Sequence, residues 1–198
     1  YSPLRRLARS GMALTIEGAD HWLTGGDFSF LRTSWMGMVR IKTLPLWTLD
    51  LSANVHWAWG TLPPQRYISS ESGIGSLSVG SAFRGMHIKE FYGDRLLTLQ
   101  FSHNFGEIIP GLMRIQNVAS FGIEFLLFGG IQWTTFSEAT LTAFKTTLPT
   151  TASTADRAYF EIGMGINRIL LFFRVDVNAR ISQRDIPEFR FTLTNSTF

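Results

Sequence analysis

Apolar and polar residues alternate along most of this chain with a period of two. The clearest stretch is 47–60, where the odd-numbered residues are mostly apolar and the even-numbered residues mostly polar. Because a β-strand sends successive side chains to opposite faces, this stretch predicts a strand with one apolar and one polar face. Trp47 and Trp57 would lie about 33 Å apart, at about 3.3 Å per residue. Tilted by about 40°, such a strand spans about 25 Å, the height of the lipid-facing band of an outer-membrane barrel.

Seven further stretches alternate in the same way, which predicts eight strands in a single domain over residues 1–198. The predicted strands are 11–19, 28–43, 47–60, 95–105, 112–136, 158–167, 169–181 and 188–198. The predicted connections alternate between long and tight, and the longest is the loop 61–94, rich in Pro, Gly and Ser. Outer-membrane barrels sort their connections in this way, with the long loops outside. We therefore predict an all-β fold, an antiparallel transmembrane β-barrel meander, with an extracellular loop 61–94.

Composition narrows the class of protein. The 198 residues contain no cysteine, which excludes disulfides and thiolate metal sites. Charged residues make up only 17% of the chain, which is low for a soluble surface. No uninterrupted apolar run reaches about 18 residues, which argues against a transmembrane helix. The net charge of +3 is too small and scattered to indicate a nucleic-acid partner. Because the chain begins at Tyr1 without a signal peptide, we expect a mature product or a fragment.

Charged residues recur on the predicted inward faces of the strands. Buried charges need partners, so we expect a lumen in which charges of opposite sign neutralise one another. A conducting pore is the alternative. The predicted lumen charges are Glu17, Arg32, Arg40, Asp50, Glu124, Glu161, Arg174, Asp176, Arg180 and Arg190.

Four tryptophans predict an aromatic girdle at the membrane interfaces: Trp47, Trp57, Trp59 and Trp133. Amphipathic indole rings favour that depth, although packing in the core of a soluble β-protein would use the same residues. Glycines within a predicted strand, as in Gly163-Met164-Gly165, indicate close backbone approach or a bulge.

Catalytic and metal-binding motifs are not evident. The four histidines lack metal-ligand spacing, and the chain has no G-x-S-x-G motif around a serine. We expect no metal, no cofactor and no enzymatic activity. An outer-membrane hydrolase stays open as an alternative.

Four segments resemble barrels of the bacterial surface-antigen superfamily, the BamA-like assembly proteins. They are the Gly-Thr-Leu-Pro exit at 60–63, AFRGM at 82–86, and the segments 90–112 and 160–181. The chain is similar to the C-terminal half of a sixteen-stranded barrel, and looks closest to Bacteroidota barrels that carry a carboxypeptidase-regulatory-like domain ahead of the barrel. The resemblance implies a missing N-terminal barrel half.

In BamA-like barrels, the long loop after the third of the last eight strands folds back into the lumen. Its tip carries an Arg-Gly pair, and the matching residues here are Arg84 and Gly85. The resemblance implies that Arg84 anchors the loop on the carboxylates of Glu124 and Glu161, because a guanidinium presents a rigid fork of donors. A solvated loop arginine is the alternative. Phe198 resembles the terminal aromatic residue of an outer-membrane sorting signal.

The resemblance also implies a place and a role. We expect an integral protein of the bacterial outer membrane that assists or scaffolds outer-membrane protein assembly or surface export. Its partners would be outer-membrane lipid and lipopolysaccharide and other outer-membrane proteins or lipoproteins. A self-closed eight-stranded barrel with a structural or adhesive role stays open beside it.

Overall fold

The computed structural model describes residues 10–44, 47–69, 82–107, 122–144, 158–182 and 187–195. Eight strands form one antiparallel sheet in which each strand pairs with the next in chain order. This confirms the predicted all-β antiparallel meander. The strands are β1 (Ser10–Ala19), β2 (Phe30–Leu44), β3 (Trp47–Gly60), β4 (Arg95–Asn104), β5 (Glu124–Thr135), β6 (Tyr159–Ile169), β7 (Phe173–Arg180) and β8 (Glu188–Asn195). Helices α1 (His21–Thr24) and α2 (Glu138–Phe144) and a 3-10 turn at Pro64–Arg66 lie between strands.

The strand register places the predicted inward side chains on one face of the sheet. Glu17 is opposite Arg32, and Glu161 is opposite Arg180. Because paired residues in an antiparallel sheet share a face, alternation carries the same face from β1 to β8. We call it the polar face. The opposite side, which carries the predicted outward residues, is the apolar face.

Burial on these two faces is the reverse of that in a soluble protein. On β8, Phe189 and Phe191 of the apolar face are 68% and 67% exposed, whereas Thr192 of the polar face is 2% exposed. On β7, the arginine, aspartate and asparagine side chains of the polar face are buried. Soluble sheets bury the apolar side instead. The sheet therefore has the pattern predicted from the alternation, in which polar side chains are covered and apolar side chains face outward.

The sheet has two open edges. Among the described residues, β1 pairs only with β2, and β8 pairs only with β7. Most polar-face residues of β1 and β2 are exposed, although Glu17 and Ala19 of β1 are partly buried.

The connections lie at two ends of the sheet. We call the end with connections 20–29, 61–94, 136–158 and 181–187 the loop end, and the end with 45–46, 105–123 and 170–172 the turn end. The predicted tight turn between β4 and β5 falls in connection 105–123, of which residues 108–121 lie outside the described part, so it stays a prediction. No helix in the described ranges is long and apolar enough to cross a membrane.

Three predicted boundaries need correction. The predicted strand 112–136 is not continuous, because Gly122 adopts a φ of 69° and β5 begins at Glu124; residues 108–121 lie outside the described part. The predicted turn at 167–168 is instead at 170–172, since β6 runs to Ile169 and β7 begins at Phe173. The polar segment after β5 contains helix α2, not only loop.

Candidate functional site

Residues 82–86 of the long loop lie against the polar face of the sheet. Ala82, Phe83 and Met86 are almost fully buried, and Arg84 is 5% exposed. The loop tip therefore folds back onto the polar face, as the resemblance implied. Arg84 is not a solvated loop arginine.

Arg84 shares one carboxylate with a second arginine. Its Nε donates to Oδ2 of Asp176 at 2.7 Å, and Arg174 Nε donates to Oδ1 of the same carboxylate at 2.7 Å. The guanidinium also lies over the Phe128 ring, 3.9 Å from its centroid. Burial lowers the pKa of the Arg84 guanidinium, and the neighbouring Asp176 carboxylate opposes that shift. An arginine stays charged under such a shift. The loop is thus fixed by a buried arginine–aspartate–arginine cluster.

Two glycines on β6 create the space for this cluster. A Cβ on Gly165 would collide with Oδ1 of Asp176, its partner across the strands. A Cβ on Gly163 would lie 2.5 Å from the Phe128 ring. At Gly165 the approaching group is the Asp176 side chain rather than backbone, whereas at Gly163 the Val177 carbonyl oxygen would also lie 2.7 Å from a Cβ, as the predicted close backbone approach requires.

Glu161 holds the backbone of the loop tip. It accepts hydrogen bonds from the N–H of Arg84 at 3.0 Å and of Gly85 at 2.8 Å, and from the Tyr159 hydroxyl at 2.7 Å. A Cβ on Gly85 would lie 2.8 Å from both the Tyr159 hydroxyl and the Asn178 amide. Only glycine fits at this position without displacing the tip.

The anchor therefore differs in part from the predicted one. Glu161 does bind the tip, but the contacts that it makes there are to backbone N–H groups. The guanidinium of Arg84 pairs with Asp176, which was expected only as a lumen charge. Glu124 pairs with Arg168 at 2.9 Å. It also accepts from the Asn104 and Asn167 amides. Sequence reasoning could not choose among three carboxylates on adjacent strands, because the choice depends on how deeply the loop descends.

The remaining predicted lumen charges are paired. Arg32 binds Glu17, and Arg40 binds Asp50 through two hydrogen bonds. The other pairs are Arg66–Glu17 at 3.0 Å, Arg180–Glu90 at 2.7 Å and Arg190–Glu188 at 3.5 Å. The predicted mutual neutralisation is confirmed. The loop partners Arg66 and Glu90 were missed, because period-two alternation says nothing about residues in loops.

An aromatic cluster lies beside the anchor on its loop-end side. Phe83, Met86, Phe91 and Tyr159 form a buried cluster, and the Phe83 and Tyr159 rings meet edge to face at 5.3 Å. The cluster adds apolar burial to the polar contacts of Arg84. On the turn-end side, a cavity of about 350 Å³ separates the tip from β3 and β4. Arg40, Asp50 and Arg174 contribute to its polar lining.

Asp94 forms a second buried polar cluster, which sequence reasoning missed. Its carboxylate accepts from the Ser137 N–H at 2.8 Å and from the hydroxyls of Ser137 and Thr140. Its backbone joins β3 and β5 through Ala58 and Thr135. Asp94 thus fixes the end of loop 61–94 to the start of α2. Ser137 ahead of Glu138 is a helix-start signal, but no local signal marks Asp94 as its partner.

The tryptophans of the predicted girdle lie at both ends of the apolar face. Trp59 and Trp133 are 48% and 36% exposed near the loop end, and Trp57 lies beside them on β3 and is half-buried. Trp47 is at the turn end, where its ring meets Phe105 at 5.1 Å. None of the four is packed inside a core. Their depth in a membrane stays a prediction, and Phe198 lies outside the described residues.

Comparison with protein-family models and with curated proteins gives no match. Within the described ranges, no group of three or more His, Asp or Glu side chains is placed to hold a metal ion.

Proposed function

We propose that this chain is the C-terminal half of a sixteen-stranded β-barrel in the bacterial outer membrane, where it assists or scaffolds the assembly or surface export of other proteins. The observation that carries the proposal is the reversed burial of the sheet, with polar side chains covered and apolar side chains exposed. Exposed apolar surface is tolerated where lipid replaces water, and a continuous apolar face of this kind marks a membrane or protein contact.

The open edges support half of a wide barrel over a self-closed eight-stranded barrel. Barrels of eight strands have an interior just wide enough for side chains to fill. Here the polar face of β5–β8 is covered by the loop tip, while that of β1 is mostly exposed and its outer edge is unpaired within the described residues. Further strands paired to β1 and β8 would cover the open edge and enclose the exposed polar face of β1.

The assembly role rests on the resemblance together with the loop anchor. The tip of the long loop is held on the polar face by Arg84, Gly85, Asp176 and Glu161, where the BamA-like resemblance implied an anchor on Glu124 and Glu161. Since every predicted lumen charge has a protein partner, the interior offers charges to the loop rather than to a diffusing substrate. This favours a scaffold over a conducting pore.

Single-cysteine labelling tests the membrane placement, because the 198 residues contain no cysteine. Leu99 lies on the apolar face at the middle of β4, and Ser102 lies on the polar face of the same strand. In the full protein, reconstituted in vesicles, a fluorophore on Leu99→Cys should be quenched by brominated lipid, and one on Ser102→Cys should be quenched by iodide. Equal quenching of both by iodide would refute a membrane barrel.

Depletion of the protein in its native cells tests the role. We expect the amounts of several other outer-membrane β-barrels or surface lipoproteins to fall in isolated outer membranes. Unchanged amounts, with the protein itself located in the outer membrane, would refute assembly while keeping the barrel.

A further inference from the structure

In the part of the chain that the structure describes, one strand arginine, Arg95, is paired with the outward residues of the apolar face. Arg95 begins β4, where it is opposite Trp57 on β3 and Thr135 on β5. Trp57 belongs to the outward set, so its direct partner Arg95 points outward as well. The guanidinium carbon lies 4.6 Å from the centroid of the Trp57 ring. The charge therefore sits among side chains that we place against lipid.

Arg95 differs from the arginines of the polar face in having no carboxylate partner. Among the described residues, its guanidinium forms neither an ion pair nor a hydrogen bond, and its Nε is buried without an acceptor. Arg40, Arg84 and Arg174, in contrast, each bind an aspartate. A guanidinium without an anion beside apolar surface is costly, so a negatively charged group from outside the chain is the natural partner.

The height of Arg95 identifies that group. Arg95 lies at the loop end of β4, two residues in the strand register from the exposed rings of Trp59 on β3 and Trp133 on β5. Tryptophans concentrate where lipid headgroups begin, and long basic side chains reach to the same level. Phosphate is the anion available at that depth, and a guanidinium binds it through two parallel hydrogen bonds.

We propose that Arg95, stacked on Trp57, binds the phosphate of an anionic lipid headgroup in the leaflet at the loop end. The inference rests on the proposed membrane placement of the chain. The indole ring holds the guanidinium flat by a cation–π contact, which leaves its edge free for two phosphate oxygens. The site would fix the barrel against its surrounding lipid.

Tryptophan quenching tests the site in the full protein. The protein is reconstituted in phosphatidylcholine vesicles that contain either brominated phosphatidylglycerol or brominated phosphatidylcholine. The quenching of tryptophan fluorescence by each brominated lipid gives the relative affinity for the two lipids. We expect a preference for phosphatidylglycerol that falls roughly tenfold in Arg95→Gln, the size of one charge-assisted contact. Arg95→Lys should keep part of the preference, because it keeps the charge without the fork. Arg40→Gln, which removes a polar-face arginine, should keep all of it.

The outcomes separate this inference from the proposed function. Heat-modifiable gel mobility shows whether each variant inserts. If every variant inserts but the wild type has no lipid preference, the lipid site alone is overturned. If inorganic phosphate added to pure phosphatidylcholine vesicles protected the protein from heat as well as phosphatidylglycerol does, the site would bind a soluble anion. That result would overturn the lipid site. Failure of the wild type to insert would overturn both. Should Arg95→Gln fail to fold, Trp57→Leu replaces it, and an unchanged preference there would contradict the stacked site.

Discussion

Two of the arginine–aspartate pairs on the polar face differ in their surroundings. The Arg40–Asp50 pair joins β2 to β3, and its side chains are 44% and 39% exposed. The Arg84–Asp176 pair joins the loop tip to β7, and its side chains are 6% and 0% exposed. Both are charge-assisted contacts, but the first can exchange its partner for water and the second cannot. An exposed pair contributes about 0–1 kcal/mol, whereas removal of one partner from a buried pair costs about 3–5 kcal/mol.

The difference arises from the loop and not from the strands. Strands β2, β3, β6 and β7 alternate in the same way and present charged residues to the same face. On the strands, the charged residues that are almost fully buried lie in the β5–β8 half, where residues 82–86 of loop 61–94 cover the polar face. The same charge on the same face is thus a surface residue in one half and part of a core in the other. The two halves provide matched tests.

Asp176→Asn should give the largest effect. The substitution removes the negative charge between the buried guanidiniums of Arg84 and Arg174, and we expect a loss of about 4 kcal/mol of unfolding free energy. The measurement is urea unfolding of the full protein in detergent micelles, followed by tryptophan fluorescence. Asp50→Asn is the control and should cost less than about 1 kcal/mol. Equal losses in the two variants would contradict the distinction between the halves.

The second test asks whether the two faces of one strand differ as we assign them. Leu99→Arg places a charge at the middle of β4 on that face, and the expected loss is about 2–4 kcal/mol in a lipid bilayer. Ser102→Arg, on the polar face of the same strand beside the cavity, is the control. The measurement is urea unfolding from lipid vesicles. A larger loss for Ser102→Arg than for Leu99→Arg would reverse our assignment of the two faces.

Sequence periodicity was sufficient for the sheet because the two faces differ so strongly in chemistry. Strand β3 was predicted with its observed bounds. Alternation also assigned every lumen charge to its face. It failed at β5, where apolar residues continue before Glu124 without marking Gly122 as a break. A period-two pattern cannot show where a chain with positive φ leaves the sheet.

The site itself was only partly predictable. The resemblance indicated Arg84 and Gly85, and alternation indicated Glu161 and Asp176, but neither could decide which carboxylate meets which donor. That pairing is set by the depth of the loop and by the space above Gly163 and Gly165. Asp94 gave no signal because its partners, Ser137 and Thr140, are more than forty residues away.

Gly85→Ala tests whether the loop tip causes the difference in burial between the β5–β8 half of the polar face and the other half. The added Cβ would lie 2.8 Å from the Tyr159 hydroxyl, so the tip must move, at a cost of about 2 kcal/mol. We expect protease cleavage within loop 61–94 to become faster in the folded protein. Gly11→Ala is the control, since its nearest neighbour would be a Met38 carbon at 3.9 Å. Resistance of Gly85→Ala equal to that of the wild type would show that the tip tolerates a side chain.

Asp94→Asn should give the smallest effect, because it weakens the cover of the β5–β8 half at one edge only. Asparagine can still accept from the Ser137 N–H, but the hydroxyls of Ser137 and Thr140 lose a charged acceptor, which costs about 1 kcal/mol. We expect faster amide hydrogen exchange across α2, with unchanged exchange at Arg84 and Gly85, since those amides bind Glu161 and not Asp94. Asp27→Asn, an exposed substitution in the connection 20–29, should change neither. If exchange at Arg84 rose together with that of α2, the two buried clusters would form one cooperative unit, and the tip would depend on the loop-end cover as well as on the arginine–aspartate–arginine cluster.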